Sequence, residues 1–230
     1  MKKIGLLGGM SWESSLEYYR IINEEVKMKL GETHSAQCIL NSLDFHEIEI
    51  LQHQNLWGQL TELMVFEANN LKKAGADFLV ICTNTMHKMV QEIEQKTDLS
   101  VLHIADSTGE AIKKAGLEII GLLGTKFTME GDFYKEVLKS NYGIETQIPE
   151  EKDRQIIHDI IYKELVKGIL KEDSRKEYLE IIGKLQTTGA QGIILGCTEI
   201  PLLIKQAKCS LPVFDTTSIH AKAAVKYALK

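Results

Sequence analysis

Two short stretches hold the residue types that could do chemistry. In FLVICTNTMHK (78–88), an apolar run ends at Cys82, with Thr83, Asn84, Thr85 and His87 directly after it. In QGIILGCTEI (191–200), a similar run ends at Gly196 and is followed by Cys197, Thr198 and Glu199. A thiol has a pKa near about 8.5, which nearby amides or helix termini lower, so a cysteine in such a loop suits proton transfer. Two such groups on opposite faces of one carbon would invert a stereocentre, one removing a proton while the other supplies one. The developing enolate-like charge would need preorganised N–H and hydroxyl donors. In the first stretch either Cys82 or Thr83 could occupy the chemical position. No H-x-x-x-H, paired-cysteine motif or carboxylate triad points to a metal.

The elements that must carry these loops are legible as a pattern. Short apolar runs lie at 3–9, 38–45, 77–83, 101–106, 119–125, 191–198 and 211–217, and helix-periodic segments such as 59–74 and 152–170 separate them. Continuous apolar runs suit strands covered on both faces, as in a parallel sheet, and their alternation with helices predicts an α/β fold. The 230 residues allow one domain or two. Hydrophobic residues at 44% and charged residues at 26% are ordinary for a globular chain. A net charge of −5 leaves no electrostatic footprint for nucleic acid. The apolar run after Lys2 and Lys3 is too short for a signal sequence or a membrane span, and reads as a buried first strand. Four cysteines without close pairing are expected as free thiols in a reducing cytoplasm.

The chain also repeats itself. IGLLG at 4–8 recurs at 120–124, an offset of 116; GADFLVICTNT (75–85) matches GAQGIILGCTE (189–199) at 114; and IADST (104–108) matches VFDTT (213–217) at 109. Three matches in one order argue for two homologous lobes, 1–104 and 117–215, with the segments 105–115 and 216–230 as helices that cross over. At an offset of 114, Cys197 aligns with Thr83 and Cys82 with Gly196. Neighbouring side chains on a strand point to opposite faces. If Cys197 faces a cleft between the lobes, Thr83 faces it from the other side, and Cys82 is a packing residue. The loops ending the strands, GGMS (8–11), TNT (83–85), GT (124–125) and CTE (197–199), can present N–H groups and hydroxyls to a small carboxylate.

With GLLGGMSWES near the start, TNTMH (83–87), LLGTKFTM (122–129) and GCTEI (196–200), the chain resembles the aspartate/glutamate racemase superfamily over its whole length, in its aspartate racemase branch. The resemblance implies two pseudo-symmetric lobes, a site in the cleft between them, and cofactor-independent proton transfer at Cα of aspartate or glutamate, without pyridoxal phosphate or metal. It implies an acidic amino acid as partner, no nucleic acid or membrane, and is compatible with a homodimer. Members carry C-N-T-x-H in the first lobe and G-C-T in the second; here Thr83 stands where the first cysteine is expected. The resemblance makes Cys197 the base facing the α-proton of the L-enantiomer, with Thr83 or a water it positions on the opposite face. Turnover is then expected to favour the L-form. It also suggests substrate-binding roles for Met10, Ser11, Gln52, Asn84, Thr85, Thr125, Lys167 and Thr198. A glutamate racemase would more often read D-S-G near the start and G-C-T-H in the second lobe.

Plainer readings stand beside these. Cys197 could be a buried thiol, and the Thr83 hydroxyl a cap for the following helix. Lys167 could pair with the distal carboxylate or be a solvated helix lysine, and Gln52 is expected on a polar loop after LDFHEIEI. His87 could stabilise an anion, tune a thiol or be structural. Glu199 could support the site or interact with a helix dipole. Asp106 and Asp215 read as matched N-caps, and Cys38 and Cys209 as packing or surface thiols. A one-cysteine decarboxylase or isomerase of small diacids fits the same fold, and a non-catalytic amino-acid-binding protein is the rival from another class.

Overall fold

A computed structural model describes residues 1–230. The first part of the chain runs β1 (Ile4–Gly8), α1 (Trp12–Leu30), β2 (Cys38–Ser42), α2 (Phe45–His53), α3 (Trp57–Lys73), β3 (Phe78–Ile81), a 3-10 turn (Thr85–Met89) and α4 (Val90–Thr97). It continues as α5 (Ile104–Lys114), β4 (Ile119–Gly124), α6 (Lys126–Glu130), α7 (Asp132–Tyr142), β5 (Glu145–Gln147) and α8 (Glu151–Lys163). A 3-10 turn (Leu165–Lys167), α9 (Glu172–Thr187), β6 (Gly192–Gly196), α10 (Ile200–Leu203), β7 (Val213–Asp215) and α11 (Thr216–Ala228) complete it. Two compact units result: residues 1–103 with 220–230, and residues 104–219.

Each unit has its own parallel sheet. In the first the order is β2-β1-β3, with Ile4 beside Cys38 on one side and Phe78 on the other. Every residue of β1 and β3 is buried, which accounts for their unbroken apolar runs, because helices cover both faces of a parallel sheet. Tyr18, Ile22 and Val26 of α1 lie one helical turn apart and pack with Ile4, Leu6, Phe78, Val80 and Cys82. The opposite face packs Leu7, Leu79 and Ile81 against Leu60, Met64, Ala68 and Leu71 of α3. Each fully buried aliphatic side chain contributes about 1.5–3 kcal/mol.

The second unit has the order β5-β4-β6-β7, with β4 and β6 paired from Ile120–Gly192 to Gly124–Gly196. A Cβ on Gly124 would come within 2.8 Å of the Gly196 carbonyl oxygen, so the ends of these two strands approach as only small residues permit. Ile120, Leu122, Ile193 and Ile194 fill the core with Tyr134, Leu138, Ile157 and Tyr178.

Three local expectations need correction. The run 101–106 is not a strand: Val101 forms one isolated bridge to Leu79, and Ile104 already begins α5. Asp106 therefore lies in the first turn of α5, where it accepts from Asn141 Nδ2 at 2.9 Å, and is not the matched N-cap of Asp215. Asp215 does cap α11, accepting from the N–H groups of Thr217 and Ser218 at 3.1 and 3.2 Å. Gln52 lies within α2 rather than on a loop.

Candidate active site

In the first unit the chain leaves β1 through Gly9, whose φ of +86° only glycine adopts without strain. Three serines then organise the start of α1. Ser11 is its N-cap, accepting from Ser14 N–H at 3.4 Å. Ser15 Oγ accepts from Gly9 N–H at 2.7 Å and donates to the Ser11 carbonyl at 3.1 Å. Ser14 Oγ donates to the carbonyl of Cys82 at 2.5 Å, fastening this loop to the residue that follows β3. Met10 and Ser11 are buried here.

Cys82 is wholly buried among Tyr18, Ile22, Phe78 and Val80, and burial pushes its thiol far above the ordinary range. It is a packing cysteine. Thr83, the next residue, is partly exposed. The helix-cap alternative for Thr83 does not hold: the following 3-10 turn has Asn84 at its N-cap position and no side-chain cap. Asn84 and Thr85 are buried beside it, and Gln52 Nε2 lies 3.4 Å from Met86 Sδ, so Gln52 belongs to the same neighbourhood. His87 is a buried histidine held by a hydrogen bond within the chain. Its Nδ1 lies 2.8 Å from the Thr83 carbonyl, which can only accept, so Nδ1 carries the proton. Burial, then His103 and His220, hold its pKa well below the ordinary range, and the ring is neutral.

In the second unit, Thr125 closes β4 and caps α6, accepting from Thr128 N–H at 3.2 Å. The neighbouring strand β6 ends at Gly196 and delivers Cys197 and Thr198, both partly exposed. The Cys197 thiol donates to Glu199 Oε2 at 2.9 Å, and Thr198 Oγ1 donates to the same oxygen at 2.8 Å. Glu199 is 5% exposed, makes no side-chain cap hydrogen bond on α10, and holds its Oε2 against the thiol. Burial, and then the Glu199 charge, raise the Cys197 pKa well above the ordinary range. The resting group is a neutral thiol with its proton directed at a carboxylate. Lys167 is exposed in the 3-10 turn after α8, and that turn lies against α10.

The structure thus groups Met10, Ser11, Gln52, Thr83, Asn84 and Thr85 around the strand ends of the first unit, and Thr125, Cys197 and Thr198 at the paired ends of β4 and β6. Two features go beyond the sequence reading: the clamp from Ser14 to the Cys82 carbonyl, and the specific use of Glu199, there only a possible support of the site, as the thiol's acceptor. Only the i, i+2 spacing of Cys197 and Glu199 signalled the second. No three or more His, Cys, Asp or Glu side chains cluster to hold a metal ion, and no helix is long and apolar enough to cross a membrane.

Comparison with known proteins matches residues 7–224 to the Asp/Glu/hydantoin racemase family. A broad-specificity amino-acid racemase of Bacillus subtilis is 24% identical, over 73% of this chain and 71% of its own. A glutamate racemase of Aquifex aeolicus is 28% identical, over 68% of this chain and 60% of its own. Among solved structures, a candidate Asp/Glu racemase from Yersinia pestis is 53% identical with a TM-score of 0.93, covering both chains in full. An aspartate racemase homologue from Pyrococcus horikoshii, also covered in full, is 33% identical with a TM-score of 0.85.

Proposed function

The chain belongs to the Asp/Glu/hydantoin racemase family, and we propose that it is a cofactor-independent racemase of aspartate or glutamate that favours the L-enantiomer. One observation carries the reading: a partly exposed cysteine at the end of β6 whose thiol proton is already bonded to Glu199. As an L-substrate binds, the Sγ–H bond breaks and its proton passes to Glu199 Oε2. The thiolate takes the α-proton, re-forming S–H, and the released electron pair spreads into the α-carboxylate. Thr83, or a water at its hydroxyl, then gives a proton to the opposite face and recovers one from solvent, while Glu199 returns its proton to solvent.

In this account Ser11, Asn84, Thr85, Thr125 and Thr198 supply donors to the substrate carboxylates, with Met10 and Gln52 shaping the first unit's share. Lys167, exposed and flexible in reach, is the candidate for the distal carboxylate. A threonine hydroxyl is a far weaker base than a thiol, which supports one-sided turnover. A reducing cytoplasm suits the four free cysteines.

Chiral chromatography of L- and D-aspartate and glutamate, incubated separately with the protein and with Cys197→Ser, tests the proposal. The expected result is a D-product from an L-substrate, slower reverse conversion when each enantiomer is saturating, and loss of both in Cys197→Ser. Failure to interconvert any of the four would refute it. Carbon dioxide release from a small diacid would instead establish the one-thiol decarboxylase.

A further inference from the structure

The internal repeat pairs Thr83 with Cys197 and Thr85 with Glu199, but it pairs His87 with Pro201. The two units therefore hold their matched positions by different means. In the second, the side chain itself is held, thiol to Glu199. In the first, the main chain is held. Ser14 Oγ donates to the Cys82 carbonyl at 2.5 Å, and His87 Nδ1–H donates to the Thr83 carbonyl at 2.8 Å, so two successive carbonyls are tied by side chains.

His87 cannot turn away from that bond. Its ring meets the edges of His103 and His220, with centroids 4.9 and 5.5 Å distant. His220 is itself locked: its Nε2–H donates to the Leu102 carbonyl at 2.7 Å, and its Nδ1 accepts from Tyr18 Oη at 2.8 Å. His87 is 2% exposed, and its Nε2 has no hydrogen-bond partner. A buried, unsatisfied nitrogen is a cost that an apolar side chain of similar size would avoid. The compensating gain is the bond from the other nitrogen to Thr83. Because a β-branched side chain has few χ1 rotamers, holding the Thr83 backbone narrows the positions its hydroxyl can take.

We propose that His87 is a positioning residue for one face of the substrate only, acting through the Thr83 carbonyl to set the group at position 83 while leaving Cys197 untouched. The inference rests on the racemase reading. A structural role alone would affect both faces equally, which makes the two enantiomers the discriminating readout.

The test is α-proton exchange in D₂O, followed by NMR for L- and D-aspartate separately. His87→Leu and His87→Gln are each made in the natural chain and in Thr83→Cys, where a thiol makes the second face easier to measure. His87→Leu should lower D-form exchange and L-to-D inversion by about 10- to 100-fold, the loss expected from misplacing a reacting group by a fraction of an ångström to an ångström. L-form exchange at Cys197 should be retained, and His87→Gln, which keeps an N–H donor, should recover part of the loss. Equal loss for both enantiomers, or no loss for either, overturns this inference alone. Absence of exchange in both proteins that retain His87 overturns the racemase reading and this inference with it.

Discussion

Replacing Glu199 with Gln isolates the interaction that governs the proton on Cys197. Gln keeps the shape and an acceptor oxygen but removes the charge. In the present chain, forming the thiolate brings a second negative charge to a sulfur that lies 2.9 Å from Glu199 Oε2. Two charges about 4 Å apart repel by about 4 kcal/mol at an effective dielectric of about 20. Cys197 is partly exposed, and solvent screening reduces that to about 2 kcal/mol, or about 1.5 pH units. Glu199→Gln should therefore lower the Cys197 pKa by about 1–2 units, while the contribution of burial stays in place. The assay is iodoacetamide labelling of the Cys197 peptide against pH, read by mass spectrometry so that Cys38 and Cys209 do not interfere. An unchanged or higher midpoint, in a variant with normal thermal stability, would show that Glu199 does not hold the thiol proton.

Other outcomes follow from the same packing and hydrogen bonds. Burial depresses the pKa of both His87 and His220, the latter to about 3. Each is neutral when folded, but in the unfolded chain binds a proton below about pH 6.5, so stability is intact above that pH and falls as pH drops toward the folded values. Both together should cost about 4 kcal/mol between pH 7 and pH 5, visible as a lower urea midpoint; a flat profile would contradict neutral burial. Cys82→Ala should cost about 1–2 kcal/mol in denaturant unfolding, because it opens a small cavity in a filled core, yet leave L-form exchange intact. Gly9→Ala should cost about 3 kcal/mol: φ is +86°, and the new Cβ would strike the Leu43 main chain. A thermal melt close to that of the natural chain would show that the turn is not constrained.

Strands β1, β3, β4 and β6 were legible because burial on both faces writes them as unbroken apolar runs. Strand β5, the three residues Glu145–Gln147, carries no such run; it is a short, partly exposed edge strand paired only with β4. The run 101–106 misled for the opposite reason. Val101, Ile104 and Ala105 are buried, but Ile104 and Ala105 belong to the first turn of a helix whose inner face they line. Over so short a span, periodicity cannot separate a strand from a buried helix start. The repeat separated Thr83 from Cys82, since a register of two decides which neighbour faces the core. Hydrogen bonds made by serine and histidine side chains to carbonyls leave no periodic trace, and for that reason the Ser14 and His87 clamps are visible only in the folded chain.

The most direct test of the account is the fate of the α-proton. The protein, Cys197→Ser and Cys82→Ala would each be incubated in D₂O with L-aspartate and with L-glutamate, and the α-proton signal followed by NMR. Loss of that signal from at least one L-form, abolished in Cys197→Ser and retained in Cys82→Ala, is the predicted result. A signal that persists in the unsubstituted protein, or one that disappears equally fast in Cys197→Ser, would contradict a thiol base at the end of β6.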